Sequence, residues 1–481
     1  MSDGSLPPSA GQNRFLAAPV GRTFVANALP MVLIMTMHGL QNVVDAAFLG
    51  HFVGADAMAA VSIIFPVLMF TIALSSLVSG GMSSLLARYL GAGDHDRARQ
   101  LFARAHGLAF LIAAILIGLF IIGGSALATT LAAGNTGIAG MAHLYLLIMI
   151  CATPVQFLLG LHADTWRNEG GAGMMAAMSL GVTVGNIILN YLLIVQAGMG
   201  IAGSAWGTVL AQGLALAIMM GWRARGRSPV PLSALLTHRW VGGWGAIVRL
   251  GAPVCLSFLG VSMVATVVVL NLKATAGTAY ADTVAAYGIV TRIYSFAYLP
   301  ILAVALATQS IVGNNVGAGL YHRSDATLRL SLRAMLVFCL IVEGVLLFTR
   351  DRVGLVFVQD PAVVTAVADI LGPTVSFYLF LGPIMILAFY FQAVGQPGRS
   401  ALLTLVKPFL LLPALVTLLA LTGGTDSMWY GYPAADLIVA ATALTLAASL
   451  KRRSGGAAGF GLAAPIPAIN APTANGPADA V

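Results

Sequence analysis

The sequence predicts an all-α membrane protein whose twelve spanning helices form two six-helix bundles related as parallel repeats. Composition, the number of long apolar segments and an internal repeat carry that reading. Of the 481 residues, 59% are hydrophobic and only 8% are charged, with a mean hydropathy of +0.92, against roughly 25% charged in a soluble domain. So few charges cannot coat a globule of this size. A soluble enzyme and a disordered chain are excluded, as is a nucleic-acid-binding protein despite the pI of about 9.6. Cys151, Cys255 and Cys339 stand far apart inside apolar runs, so the spacing offers neither a disulfide framework nor a zinc site.

A helix crosses the hydrocarbon with roughly 20 apolar residues, and no other open segment satisfies its own backbone there. Segments of that kind cover 25–49, 58–86, 105–128, 138–162, 174–196, 202–222, 250–272, 283–313, 332–349, 363–391, 401–421 and 429–450. The expected organisation is a cytoplasmic tail over 1–24, one bundle over 25–222, a cytoplasmic linker over 223–249, a second bundle over 250–450 and a disordered cytoplasmic tail over 451–481. The first 22 residues lack the apolar core and cleavage site of a signal peptide. With the N-terminus inside, twenty lysines and arginines fall on inner segments, Lys407 counted among them. Lys273, Arg350 and Arg352 fall outside, and Arg292 within a span. The bias of basic residues toward cytoplasmic loops therefore places both termini inside. The scarcity of lysine beside arginine points to a GC-rich bacterial gene and an inner membrane.

The repeat rests on three anchors. Gly91-Ala92-Gly93 matches Gly317-Ala318-Gly319 at an offset of 226, Ala59-Ala60-Val61 matches Ala285-Ala286-Tyr287 at the same offset, and Gly170 falls on Gly395 at 225. An even shift of six spans keeps both halves in one orientation, as in carriers that rock one half against the other.

Ionisable residues inside a span are costly unless paired or hydrated and mark functional sites by default. His38, Gln41 or Asn42, and Asp45 form a helical stripe near the outer end of span one, and Asn186 and Asn190 form a second on span five at a matching depth. Together they can enclose a proton or a cation such as Na⁺, with Asp45 as the carboxylate and the amides orienting it. Arg292 in span eight and Glu343 in span nine lie at similar depths and are expected to form a structural ion pair. Asp369 and Asp436, near outer span ends, rank below Asp45. No His/Asp constellation of the kind a membrane enzyme needs is evident.

At VVDAAFLGHFVGADAMAAVS, GGMSSLLARYLGAGDHDRA, GNIILNYLLI, VAAYGIVTRIYSFAYLPI and FQAVGQPGRSALL, the chain resembles the multidrug and toxic compound extrusion (MATE) family of antiporters, from Ala28 to Arg453. The resemblance implies a V-shaped pair of bundles that exports cationic or amphipathic compounds in exchange for protons or sodium, with no cofactor beyond the coupling ion. It maps the family's coupling carboxylate onto Asp45 and its span-one bend onto Pro30, the expected hinge. Some members carry an acid four residues after the span-five asparagine. Here Asn190 stands in that place after Asn186, and span seven lacks the glutamate of a sodium-binding branch. A flippase for lipid-linked precursors, or a metabolite exporter of the same superfamily, is the alternative.

Overall fold

The computed structural model describes residues 13–225 and 228–461. Ten of its helices are each long and apolar enough to cross a membrane, and two bent helix pairs bring the spans to twelve. The first lobe holds Val20–Val53, Ala55–Gly91, His95–Leu131, the pair Thr136–Cys151 and Thr153–Asn168, Ala172–Gln196 and Gly200–Arg225. The second holds Trp244–Thr275, Gly277–Gly317, Tyr321–Val356, the pair Pro361–Val375 and Tyr378–Ala393, Pro397–Met428 and Gly431–Arg453.

Local chemistry sets several of these ends. The Asp94 side chain accepts the Arg97 N–H, Asn135 accepts from Gly137 and Ile138, and Asp360 accepts from Ala362 beside Pro361. Each satisfies a backbone donor that a helix start leaves free. The two bent spans, four and ten, are repeat equivalents, with bends of 46° and 50°. At the second break Phe377 adopts a left-handed φ of 69°.

The backbone bears out the repeat. Gly93 and Gly319 take φ of 72° and 73°, and Gly170 and Gly395 take 85° and 84°, a region that favours glycine because it has no Cβ. The same glycine turns therefore end spans two and eight, and spans four and ten. Where spans two and eight cross, a Cβ on Gly91 would overlap the Asn314 carbonyl, and one on Gly317 would overlap the Arg88 carbonyl. Residues 88 and 314 are themselves 226 apart, so the crossing obeys the pseudo-twofold relation of the halves.

Three expectations are corrected. Span one begins at Val20, inside the stretch expected as the N-terminal tail, and before it Asn13 caps the short helix Arg14–Ala17, its amide donating to Asn314 at 2.7 Å. Arg323 also donates to the carbonyls of Phe15 and Ala18, so backbone satisfaction ties this segment across both lobes. The last tail is ordered through Gly461, because the Asp325 carboxylate accepts the Gly459 N–H and Phe460 packs edge-on against Tyr390. Its remainder, 462–481, lies outside the described residues. Finally, Lys407 belongs to span eleven rather than to an inner loop. The linker between Arg225 and Trp244 carries one short helix, Ala234–Thr237.

Candidate ion-coupling site

Span one runs as an unbroken helix from Val20 through Pro30 to Phe48. Proline has no N–H to give the preceding turn, which weakens the helix there. Asp45 lies half-buried one turn before the π-helical segment Leu49–Val53, and Asn190 directly precedes a second such segment, Tyr191–Gln196. Wide turns of this kind re-aim side chains and recur at functional sites.

Asn190 Nδ2 donates to Asp45 Oδ1 at 2.6 Å and lies 3.3 Å from Asn186 Oδ1. Asn186 in turn donates to Thr208 Oγ1 of span six at 3.3 Å. Both asparagines are fully buried. The Asn190 Oδ1 atom is buried without a partner, which is costly for a carbonyl oxygen in a dry interior. Gly207 makes room for it, since a Cβ there would collide with that oxygen. Tyr145 of span four lies within electrostatic reach of Asp45. The site thus offers a carboxylate, one uncommitted amide oxygen and further oxygens on Asn186 and Thr208, a donor set suited to a proton or a hard monovalent cation. Among the described residues no cluster of three His, Cys, Asp or Glu side chains forms a transition-metal site.

The structure brings together Asp45, Asn186 and Asn190 and leaves out the rest of the stripe. Asn42 is exposed and Gln41 half-buried, and neither hydrogen-bonds to Asp45. The carboxylate is drawn toward span five, so its partners come from a neighbouring helix rather than from its own.

The expected Arg292–Glu343 pair does not form. Arg292 is exposed and makes no ion pair among the described residues, while Glu343 accepts the N–H groups of Phe377 at 3.2 Å and Leu379 at 2.8 Å. The break in span ten leaves those donors without helical acceptors, and a carboxylate satisfies them with charge-assisted bonds. Asp436 departs from expectation in the other direction. It is buried and paired with Lys407.

Sequence reasoning also missed a polar seam between the lobes at the arginine-rich end. Ser83 lies 3.5 Å from Gln309, and Gln309 donates to Gln392 at 3.0 Å. Arg167 and Asn168 both donate to Ser83 at 2.8 Å, and Asn314 reaches the Asn168 carbonyl at 3.4 Å. Ser83 and Gln309 are 226 apart, and Arg167 and Gln392 are 225 apart. The repeat offset, extended to polar residues, would have found this seam.

Two parallel-repeat lobes, joined by a polar seam at one end and holding a carboxylate–amide site in one of them, define a polytopic membrane protein of the two-lobed carrier class. The MatE family model matches residues 30–192 and 253–416, one stretch in each lobe, and the chain belongs to that family. It is 26% identical over 429 residues to the FAD transporter of Shewanella oneidensis, covering 88% of this chain and 93% of that protein. It is 24% identical over 439 residues to the multidrug export protein MepA of Staphylococcus aureus, covering 91% and 94%. An outward-facing multidrug resistance MATE transporter of the MOP superfamily superposes with a TM-score of 0.84 at 20% identity, covering 93% of this chain and 99% of that one. A MOP superfamily transporter from Pyrococcus furiosus, described as having a binding pocket of reversed polarity, gives 0.83 at 20%, again covering 93% and 99%. The latter two show the common fold.

Proposed function

We propose that this protein is a secondary active exporter of cationic or amphipathic small molecules, driven by proton or sodium antiport through Asp45. It sits in the bacterial inner membrane with both termini cytoplasmic, as the bias of arginines to one end of the bundles supports, and needs no cofactor beyond the coupling ion. The observation that carries the reading is the Asp45–Asn190 bond beside the unpartnered Asn190 Oδ1. A cation at Asp45 competes with the Asn190 amide for the carboxylate, and Asn190 can then turn its carbonyl to the ion while its Nδ2 keeps to Asn186. Spans one and five repack, with Pro30 as the hinge, the compound leaves the lobe, and the seam then opens with the ion in place to release it inside. Different ion affinities of the two states are what make this coupling.

The test is efflux of a fluorescent organic cation from proteoliposomes, with pH and Na⁺ varied independently. Asp45→Asn is expected to abolish the dependence on both gradients. An Asp45→Asn protein whose efflux still follows either gradient removes Asp45 from the mechanism. Similarity to the Shewanella oneidensis FAD transporter supports a second reading, an exporter of an anionic metabolite, and counterflow with a flavin nucleotide separates the two.

A further inference from the structure

Lys407 and Asp436 form an ion pair between spans eleven and twelve, with side chains 21% and 6% exposed. Lys407 lies ten residues into its span, whose first residue is Pro397, so the charge is deep in the hydrocarbon. A pair in such a place is poor evidence of stability, because desolvation offsets most of the attraction and apolar residues would serve as well. Charge retained there points to function. The pair stands at a local widening of its helix and borders a small cavity otherwise walled by Leu381, Ile384, Leu403 and Val439. Lys407 opens the third π-helical segment, Lys407–Leu411, as Asp45 and Asn190 flank the other two. Pro408 provides no N–H for the carbonyl of Thr404, and Thr404 lines a cavity of about 80 Å³ together with Ser257, Met385, Lys407, Pro408 and Asp436. That volume admits a small cation and a water or two.

The other groups facing the carboxylate are neutral phenols. Tyr432 on its own helix, Tyr294 of span eight and Tyr378 at the span-ten break lie within its electrostatic reach. Behind Tyr432 stands Tyr287, hydroxyl to hydroxyl at 3.4 Å, and Glu343 reaches Tyr294 from span nine. Lys407 is therefore the counter-ion of Asp436, and it is covalently tethered.

We infer that Asp436 builds a second monovalent-cation site, in the C-terminal lobe, whose resident cation is the Lys407 ammonium, so that this lobe takes up no ion from solution while the pair is intact. Resting on the coupled-export reading, the consequence is that one ion, held at Asp45, is exchanged per cycle. Neutralising Lys407 vacates the site for a proton or Na⁺.

The experiment counts cations bound by the purified full-length protein in detergent. Radiolabelled sodium binding and proton uptake in weakly buffered solution are measured separately, so that the two ions are distinguished. Lys407→Met is expected to raise the count from one to two per chain. Lys407→Arg, which keeps a tethered cation, and Lys407→Met combined with Asp436→Asn are expected to stay at one. A folded Lys407→Met protein with an unchanged count overturns the proposal. So does a Lys407→Met protein that fails to fold while the double variant folds, since Asp436 then recruits no outside cation. Failure of both to fold marks the pair as a structural strut and equally overturns it. Repeating the series with Asp45→Asn separates the two readings. If Asp45 holds no ion, the baseline does not fall, yet the increment from Lys407→Met persists.

Discussion

Asp45 and Asn271 occupy equivalent places 226 residues apart, and each meets the fifth span of its own lobe through a side-chain hydrogen bond. In the first lobe Asn190 donates to the Asp45 carboxylate; in the second Asn271 donates to Thr417 at 3.0 Å, one residue past the position equivalent to Asn190. One geometry therefore carries a titratable carboxylate in one lobe and a neutral amide in the other. The only carboxylate between spans eleven and twelve among the described ion pairs, Asp436, is already matched by Lys407. Duplication supplied two similar frames, and a few polar substitutions left one with a carboxylate held only by an amide and the other with a carboxylate already matched by a lysine.

The seam treats the lobes as equals, so its two glycines should respond alike. Gly91→Val and Gly317→Val each force a side chain into a backbone carbonyl across the interface, and overpacking of this kind typically costs about 1–3 kcal/mol or more. Efflux below a tenth of wild type is expected for both, with a cysteine placed at the buried Ser84 becoming reactive to a water-soluble maleimide. A large effect for only one of the two would break the symmetry. Within the ion site, Asn190→Leu removes a charge-assisted bond worth about 1.5–3 kcal/mol, which is expected to shift the cation concentration for half-maximal efflux by at least tenfold. Gly207→Ala, by displacing Asn190, should move it in the same direction. Asn271→Asp copies the carboxylate into the second lobe. The Hill coefficient for the coupling ion should rise from about one toward two, its bound set by the number of sites, and an unchanged value would show that Thr417 cannot replace Asn190. The smallest effects concern span ten. Glu343→Gln weakens the bonds to Phe377 and Leu379 by about 1 kcal/mol, a measurable loss in thermal stability. Arg292→Gln should stay within about 0.5 kcal/mol, and a double-mutant cycle should find no coupling between these two residues.

How much of this was legible in the sequence depended on what kind of contact was asked for. Hydropathy and the 226-residue offset gave the twelve spans and the two halves, because span length and glycine turns are local properties. Asp45 and its meeting with span five were legible from depth alone, since charge in hydrocarbon is rare and the asparagines lay at a matching level. The same depth argument failed for Arg292 and Glu343. Equal depth does not fix which way a side chain turns around its helix, and the broken helix that attracts Glu343 is hidden within a continuous apolar run. Lys407 reads as a loop residue for a related reason: its charge suggests a span end where the chain in fact continues through the membrane. The seam escaped because its members are uncharged or near span ends, where arginines are ordinary.

Ion occupancy at Asp45 is expected to break its bond to Asn190. Infrared difference spectra of the purified protein, recorded on lowering pH and on adding Na⁺, observe the carboxylate stretch directly. The expected result is a carboxylate band that shifts with one of these ions, is absent in Asp45→Asn and loses its hydrogen-bonded position in Asn190→Leu. A band that persists unchanged in Asp45→Asn would contradict it.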